Sequence, residues 1–481
     1  MNKSYKHLPK DKRKKILLIT DDIRVHSGVA TIGKEIVVET CHHFNWVQIA
    51  GAIKHPDHKK KMDISKDCGV HAGIDDASVF LYGVDGYGTS EIVRQIIQIE
   101  KPDAILLITD PRYFTHIFNI EHEIRKNIPI AYLNIWDDYP APMYNQAFYE
   151  SCDLLMGISK QTVNINRIVL DDRIGNRILK YVPHGLNHEH YFPVKEDDPK
   201  FLDFKKTVLG PDAETTKFVA FFNSRNIRRK QIPDTMVAFR SFLDSLPEEE
   251  AKHCKLILHT ELSSAHGTDL LKVNEYLFGE KYPKHVIFST NKLGREHLNY
   301  LYNLADVQML LTSNEGWGLT ITEAILSGTP IIANTTGGMQ DQMRFVDENG
   351  NWFTPNPDVP SNHRGTYKEH GEWAFPVYPT SRSMQGSPPT PYIYDDRCAW
   401  EDATERLKEC YKLGRKELKR RGKIGREWAI GDEAGFTAKH QGQRVLEAFD
   451  ELFQTWEPRE KMEVINTNEY KGHFLKHKLI Y

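Results

Sequence analysis

Short runs of consecutive apolar residues alternate with amphipathic stretches over the first part of the chain. The amphipathic stretches Gly33–His43, Ser90–Ile99 and Ile117–Lys126 have the periodicity of helices. This alternation is typical of a parallel sheet that is covered by helices on both faces. The runs that predict buried strands are Lys15–Thr20, Trp46–Ala50, Ala104–Ile108, Ile130–Ile135, Leu154–Ile158 and Lys180–Val182.

The same pattern starts again after Pro193. The apolar runs there are Phe218–Phe222, Lys255–His259, Val286–Ser289, Val307–Leu311 and Pro330–Ala333, and the helical segments are Asp234–Leu246, Arg295–Leu304 and Leu319–Leu326. We therefore predict an α/β protein with two doubly wound, Rossmann-like domains, residues 1–185 and 186–455, and a tail over residues 456–481. Because ligands of such sheets bind at the carboxyl ends of the strands, two facing domains place a site in the cleft between them.

Residues 355–397 interrupt this alternation of apolar runs and helical segments. Aromatic side chains, among them Trp373, Tyr378 and Tyr392, accompany the prolines and favour an ordered loop inserted into the second domain. Three helical segments, Ala399–Leu413, Arg415–Ile430 and Ala434–Trp456, follow it. The prolines are Pro355, Pro357, Pro360, Pro376, Pro379, Pro388, Pro389 and Pro391.

Composition indicates a cytoplasmic globular protein. The chain has 481 residues, 40% of them hydrophobic and 27% charged, and no apolar run reaches the roughly 18 residues of a membrane span. The lysine-rich segment Met1–Lys15 lacks the apolar core of a signal peptide. Six cysteines without a Cys-x-x-Cys pair fit a reducing compartment and disfavour zinc. The net charge of −3 gives no general attraction to nucleic acid, although the basic N-terminus permits a weak contact with polyanions.

The most informative segment covers residues 314–330. Glu315 and Glu323 stand eight positions apart, Gly316 and Gly318 follow the first of them, and a predicted strand precedes the segment. A strand, a glycine-containing loop and a helix N-terminus together form a site for a phosphate. The two carboxylates can bind hydroxyl groups on either side of that phosphate, and a phosphate flanked by hydroxyls describes a nucleotide sugar.

A basic cluster follows the first predicted strand of the second domain. Arg225 and Lys230 are five positions apart, so one turn can direct both toward a single diphosphate, and Arg228 and Arg229 can share this role. The alternative is a solvated basic turn.

Several segments resemble retaining glycosyltransferases of family 4, which have the GT-B fold. They are Leu301-Tyr-Asn-Leu-Ala-Asp-Val with residues 313–330, Thr336-Gly-Gly-Met, Tyr181-Val-Pro-His-Gly-Leu-Asn with Tyr191-Phe-Pro193, and the turn at Gly28. The motifs occur in the family's order and extend over most of residues 15–355.

The resemblance implies a role for each position. Glu323 is expected to bind the ribose hydroxyls, Glu315 to lie beside the donor sugar, and Arg225 with Lys230 to hold the diphosphate. It implies retention of configuration, with the leaving phosphate accepting the proton, and neither a metal nor a cofactor besides the donor. The remaining donor-binding positions are Gly28, Gly316, Gly318, Leu319 and Thr320.

The chain departs from the family where a histidine usually contacts the donor sugar. Trp136-Asp-Asp-Tyr-Pro140 stands there, so Asp137 or Asp138 could bind a sugar or acceptor hydroxyl; the alternative is a capped polar loop. The pair lacks the Asp-x-Asp spacing of metal-dependent glycosyltransferases. Asp110 and Arg112 are further acceptor candidates, with a structural salt bridge as the alternative.

Two other groups complete the candidates. In the inserted segment, Trp373 and Arg382 predict an acceptor lid, with a packing flap as the alternative. His184, His188 and His190 lie in the linker between the domains, and we do not expect them to bind a metal.

We therefore expect a transferase that moves a sugar from a nucleoside diphosphate donor to a hydroxyl acceptor, such as a glycan or lipopolysaccharide. Alternatives are a phage-type enzyme that glycosylates hydroxymethylated DNA bases, a nucleotide-sugar epimerase, and a noncatalytic GT-B protein. A phosphorylase is disfavoured because no motif for a pyridoxal lysine is found. The donor base and sugar, the acceptor and the oligomeric state stay open.

Overall fold

The first part of the chain forms an eight-stranded sheet. The structure, a computed structural model, describes residues 5–355 and 362–459. The strand order is β3-β4-β2-β1-β5-β6-β7-β8, and only the edge strand β3 runs antiparallel to its neighbour. The strands are β1 (Lys14–Asp21), β2 (Phe44–Gly51), β3 (Lys61–Asp63), β4 (Val79–Gly83), β5 (Ala104–Ile108), β6 (Ile130–Asn134), β7 (Leu154–Gly157) and β8 (Ile178–Tyr181). The helices are α1 (Gly28–Thr40), α2 (Ser65–Ala72), α3 (Ser90–Glu100), α4 (Thr115–Phe118), α5 (Glu121–Ile124), α6 (Gln146–Glu150) and α7 (Lys160–Leu170).

The second part forms a six-stranded parallel sheet in the order β11-β10-β9-β12-β13-β14. Its strands are β9 (Phe218–Asn223), β10 (Cys254–His259), β11 (Val286–Ser289), β12 (Val307–Leu310), β13 (Ile331–Asn334) and β14 (Ala374–Val377). Its helices are α8 (Pro199–Leu209), α9 (Ile232–Asp244), α10 (Glu248–Ala251), α11 (Leu270–Phe278), α12 (Arg295–Leu304), α13 (Leu319–Leu326), α14 (Met339–Gln342), α15 (Trp400–Ile430) and α16 (Ala438–Thr455).

The apolar runs became strands of both sheets, and most of these strands are buried, although β8 and β11 are largely half-buried. β5 and β11 have the bounds that the sequence predicts, and β5 is buried at every position. The sequence did not reveal β3 and β4, which lie at one edge of the first sheet and are partly exposed. The helix predicted over Ile117–Lys126 is instead two single turns, α4 and α5.

Most of the segment predicted as a loop, residues 355–397, has regular structure. Residues 374–377 form β14 at the sheet edge, and an antiparallel hairpin follows, β15 (Pro379–Ser387) and β16 (Thr390–Cys398). Pro376 lies in the edge strand β14, Pro379 and Pro391 lie in the hairpin strands, and Pro388 and Pro389 lie in the hairpin turn, where a missing N–H is tolerated. The loop prediction was therefore wrong for residues 374–397, whereas residue 355 and residues 362–373 form no helix or strand. Residues 356–361 lie outside the described residues.

The last helix returns to the first sheet. α15 is interrupted at Gly414, whose φ of 74° separates the two predicted helices. α16 then packs on the first unit, where the Phe449 and Phe44 ring centroids lie 5.7 Å apart and Lys180 Nζ lies 2.5 Å from Glu451. The sequence-based division places this helix in the second domain, yet its apolar face covers the first one. No helix in the described ranges combines the length and apolarity required to cross a bilayer.

Candidate active site

Glu315 lies at the centre of a charged cluster between the two sheets. Its carboxylate accepts hydrogen bonds from Lys230 Nζ and, at 3.0 Å, from Arg229 Nη1. Glu315 follows β12, while both cations come from the 3-10 turn Arg228–Lys230 after β9. β9 and β12 are neighbours in the sheet, and for this reason the loops at their carboxyl ends meet.

The charges in this cluster hold Glu315 ionised. Burial opposes ionisation, but Lys230 and Arg229 outweigh it and lower the pKa of Glu315 to about 2. Burial, with the Arg229 charge, lowers the pKa of Lys230 to about 8, although Glu315 acts in the opposite direction. At neutral pH, Lys230 and Arg229 therefore share the Glu315 carboxylate, and their remaining N–H groups can bind an anionic ligand.

Glu323, on α13, has a different environment. Tyr302 and Tyr191 donate hydrogen bonds to its two oxygens at 2.5 and 3.1 Å, and Asn223 Nδ2 lies 3.5 Å away. Burial raises the pKa of Glu323 to about 7, although both tyrosine hydrogen bonds lower it. Two fixed hydroxyl donors therefore orient a partly exposed carboxyl group that changes its charge near neutral pH.

Two helix N-termini approach each other across the cleft. Ser27 caps α1, and a Cβ atom at Gly28 would lie 3.2 Å from Leu319 Cδ1, at the start of α13. Gly318 precedes α13 with a φ of 87°, which favours glycine. A Cβ atom at Gly316 would lie 2.6 Å from the Ile135 carbonyl oxygen. These glycines let the two units come together where exposed helix N–H groups can bind an anion.

The two aspartates after β6 have different environments. The Asp137 carboxylate lies 4.0 Å from Arg229 Nη2 and joins the Glu315 cluster, and burial raises its pKa. Asp138 is fully buried, where its Oδ1 accepts hydrogen bonds from Tyr139 N at 2.8 Å and Gln161 Nε2 at 3.0 Å. Asp137 therefore lies at the cluster, and Asp138 supports the loop.

The hairpin β15–β16 bridges the two units beside Glu315. Tyr144 Oη donates to the Tyr392 carbonyl oxygen at 3.0 Å, and Tyr394 N donates to the Tyr139 carbonyl oxygen at 2.7 Å. On the second unit, Asn314 Nδ2 donates to Asp395 at 2.9 Å. The hairpin thus closes one flank of the cleft.

Asp110 and Arg112 take part in this bridge, whereas Arg382 forms its contacts within the hairpin. Arg112 Nε donates to Asp110 at 2.7 Å, and a second nitrogen of Arg112 bonds Thr390 in the hairpin. Arg382 Nε donates to Asp396 at 2.6 Å, and its guanidinium lies 4.8 Å from the Tyr394 ring centroid. All three side chains are therefore engaged in ion pairs.

The structure does not bring Trp373 or Arg225 to the cluster. Trp373 is 3% exposed, stacks on Trp428 with centroids 4.9 Å apart, and donates from Nε1 to the Gln342 carbonyl oxygen at 3.1 Å. Trp373 is therefore a core residue of the second unit, and β14 begins directly after it. Arg225 is exposed, and its side chain makes no hydrogen bond or ion pair within the described residues. Arg229 contacts Glu315 instead.

The sequence analysis did not identify as site residues the two tyrosines that donate hydrogen bonds to Glu323. Tyr302 lies on α12 and Tyr191 in the linker, both inside segments that carried the family resemblance. His184, in the same linker, packs edge-on against Trp317, and burial lowers its pKa to about 3. Within residues 5–355 and 362–459, no three His, Cys, Asp or Glu side chains gather in a metal-binding arrangement.

Comparison with known sequences finds similarity to glycosyltransferases. Residues 215–363 match the family described as Glycosyl transferases group 1. The uncharacterized glycosyltransferase MJ1607 of Methanocaldococcus jannaschii is 24% identical over 269 residues, which is 55% of this chain and 61% of that relative.

Solved structures extend the likeness to nearly the whole chain. A glycosyltransferase from Rickettsia africae superposes with a TM-score of 0.62 at 13% identity, over 92% of this chain and 99% of that one. Sucrose-phosphate synthase from Thermosynechococcus elongatus gives 0.62 at 14% identity, over 92% and 100%. Anabaena HepE in complex with UDP and glucose gives 0.61 at 14% identity, over 92% and 100%. The fold is therefore GT-B, as the sequence predicts.

Proposed function

We propose that this chain is a retaining glycosyltransferase that moves a sugar from a nucleoside diphosphate donor to a hydroxyl acceptor. The observation that carries the proposal is the arrangement around α13. The Glu315 cluster lies before its N-terminus, Glu323 with its two tyrosines lies on the helix, and Gly28 approaches from the other unit. The glycosyltransferases that it resembles share the GT-B fold, and one of them is described with UDP and glucose.

In this proposal, the second unit binds the donor. Glu323 accepts hydrogen bonds from the ribose hydroxyls, and the diphosphate lies between the N-termini of α1 and α13. Lys230 neutralises it from one side. Arg225, which is exposed and unpaired among the described residues, binds the diphosphate from the other side. Backbone N–H groups over residues 316–320 add hydrogen bonds to the phosphate.

The reaction breaks the bond between the sugar C1 and the phosphate oxygen and forms a bond from C1 to the acceptor oxygen on the same face. The acceptor proton moves to an oxygen of the leaving phosphate. Lys230 and Arg225 stabilise the charge that develops on this phosphate. Glu315, held ionised by its two cations, stabilises positive charge at C1. The hairpin and the closed units exclude water, which limits donor hydrolysis.

The acceptor enters from the first unit, on the side of Asp137. This carboxylate faces the Glu315 cluster and makes no hydrogen bond within the described residues, so it is free to accept one from a sugar or acceptor hydroxyl. We propose a glycan as the acceptor, because carboxylates that accept hydrogen bonds from hydroxyl groups are common in sugar-binding sites.

The test is a matrix of donors and acceptors followed by mass spectrometry. UDP-, GDP- and ADP-sugars are incubated with glycan, lipopolysaccharide and hydroxymethylated duplex DNA, and release of nucleoside diphosphate is measured in parallel. Transfer to a glycan that disappears in Glu315→Ala supports the proposal. Transfer to DNA alone would replace the acceptor, and absence of both nucleotide binding and release would refute a transferase. NMR of the anomeric centre in the product decides retention.

A further inference from the structure

A cavity of about 430 Å³ lies under the C-terminal end of α13, away from the loop that carries Glu315. This volume is within the range of small-molecule sites. Most of its wall is apolar. The apolar lining includes Pro193 and Val194 of the linker, Phe201 of α8, and Leu418 and Ile430 of α15.

The charged side chains of this cavity differ in how they are paired. Lys419 is paired with Glu196, and Asp306 is held by Arg415 at 2.7 Å, so both are neutralised from outside the cavity. Lys423 is 75% exposed, and among the described residues its only carboxylate within 4.0 Å is that of Glu427, at 3.8 Å, which also lines the cavity.

Arg426 is the distinctive group. Its guanidinium donates to the main-chain oxygens of Tyr191 at 2.7 Å, His188 at 3.4 Å and Leu326. No carboxylate in the described part of the chain pairs with it, and burial without a counter-charge lowers its pKa. Of its five N–H donors, these bonds use three. A half-buried guanidinium with donors left over, beside a second cation and an apolar wall, has the chemistry of an anion site.

We propose that this cavity binds a small organic anion. Its phosphate or carboxylate group lies against Arg426 and Lys423, and its apolar part occupies the wall formed by Val194, Phe201 and Leu418. The inference that the cavity is a binding site stands independently of the transferase proposal.

The cavity is connected to the proposed ribose site through one residue. The Tyr191 carbonyl oxygen accepts from Arg426, while the Tyr191 hydroxyl donates to Glu323 at 3.1 Å. An anion bound to the remaining Arg426 donors draws the guanidinium toward the cavity, weakens its bond to the Tyr191 carbonyl oxygen and thereby weakens the orientation of Glu323. Occupancy should therefore lower nucleotide affinity. By linkage, the nucleotide lowers anion affinity by the same factor. This coupling rests on the proposed function.

Binding is tested with phenyl phosphate, and phenol serves as the neutral control, by isothermal titration on the full chain. We expect phenyl phosphate to bind and phenol to bind at least about tenfold more weakly, since the charged group supplies the hydrogen bonds to Arg426. Lys423→Glu, an exposed change, and Val194→Phe, which fills the cavity, should each weaken phenyl phosphate by about tenfold. Lys416→Glu, on the same helix but outside the cavity lining, is the matched control and should leave binding unchanged.

Lys230→Met distinguishes the cavity from the proposed phosphate site. Phenyl phosphate affinity that survives Lys230→Met and falls in Lys423→Glu and Val194→Phe supports the cavity. Loss in Lys230→Met alone, or no binding by the wild type, overturns it. UDP titrated with and without saturating phenyl phosphate tests the coupling, and equal UDP affinities overturn that step. Absence of UDP binding would count against the transferase proposal and leave the cavity result intact.

Discussion

Replacing Glu323 by glutamine should make the free protein more stable and the nucleotide complex weaker. Burial raises the pKa of Glu323 from 4.5 to about 7, so the folded protein holds this proton more tightly than the unfolded chain. The stability contributed by the neutral form is fully present below pH 4.5 and is lost as pH rises through about 7. Glutamine keeps the shape of the neutral form and removes this loss.

The size of the stability gain follows from the pKa difference. An interval from 4.5 to about 7 corresponds to roughly 3 kcal/mol at pH values well above 7. Because the side chain is partly exposed, solvent screening reduces this to roughly 1–2 kcal/mol. At pH 5 the wild-type carboxyl is neutral in the folded protein but largely ionised in the unfolded chain, so only roughly a quarter of the difference between the proteins should remain there.

Nucleotide binding should change in the opposite direction. Hydrogen bonds from ribose hydroxyls to a carboxylate are worth roughly 1.5–3 kcal/mol each, whereas bonds to a neutral amide are worth about 1 kcal/mol. Loss of the charge therefore predicts UDP binding about 10-fold weaker or more at pH 8.

The assays are thermal unfolding at pH 5 and pH 8 and isothermal titration with UDP. Glu296→Gln is the matched control, because Glu296 also accepts a hydrogen bond from a tyrosine, Tyr300 at 3.0 Å, but is exposed. This control should change neither property. Wild-type UDP affinity in Glu323→Gln would refute the ribose assignment. An equal change in stability at both pH values would refute the argument from burial.

Three further changes test the rest of the site. Lys230→Met removes one of the two cations on Glu315 and should slow sugar transfer at least about 100-fold, measured as nucleoside diphosphate release; an unchanged rate would contradict its role. Gly28→Ala places a methyl group 3.2 Å from Leu319 Cδ1 and should weaken UDP binding several-fold, and a second change, Leu319→Ala, should restore it if the close approach is the cause. Trp373→Ala should lower the free energy of unfolding by roughly 3–5 kcal/mol without altering which acceptors are used. An altered product profile at full stability would instead support Trp373 as an acceptor-site residue.

The architecture could be predicted because burial on both faces leaves a strong sequence signal. Strands such as β5 are apolar at every position, and amphipathic helices such as α12 carry the helical period, so both have the predicted bounds. β3 has three residues and is largely exposed at the sheet edge, and no periodicity can reveal it. The hairpin was hidden by its prolines, which disfavour central strands but not edge strands.

The site was predictable in its sequence positions but not in its side-chain directions. Loops after adjacent parallel strands must meet, which brings the turn after β9 to Glu315. Which of the four basic residues faces Glu315 depends on the dihedral angles of the 3-10 turn, and the turn ends at Gln231 with a φ of 51°. The turn directs Arg229 and Lys230 inward, whereas Arg225, which precedes the turn, is exposed, and spacing alone does not contain this distinction.

The opposite surroundings of Glu315 and Glu323 assign them different chemistry. The same helix and loop hold both carboxyl groups, yet the pKa of Glu315 falls to about 2 and that of Glu323 rises to about 7. Two carboxyl groups whose environments separate their pKa values have separate roles. Glu315 stays charged at any physiological pH, as its proposed stabilisation of positive charge at the sugar C1 requires. Within the described residues, Glu323 is bonded to tyrosine hydroxyls and paired with no cation, which suits its proposed exchange of those hydroxyls for the hydroxyls of a ribose. The cause of the difference lies outside the segment 314–330, in the turn after β9 for Glu315 and in α12 and the linker for Glu323. To exchange the proposed functions of Glu315 and Glu323, the residues that contact each carboxyl group would therefore have to be exchanged, rather than the positions of the two carboxyl groups.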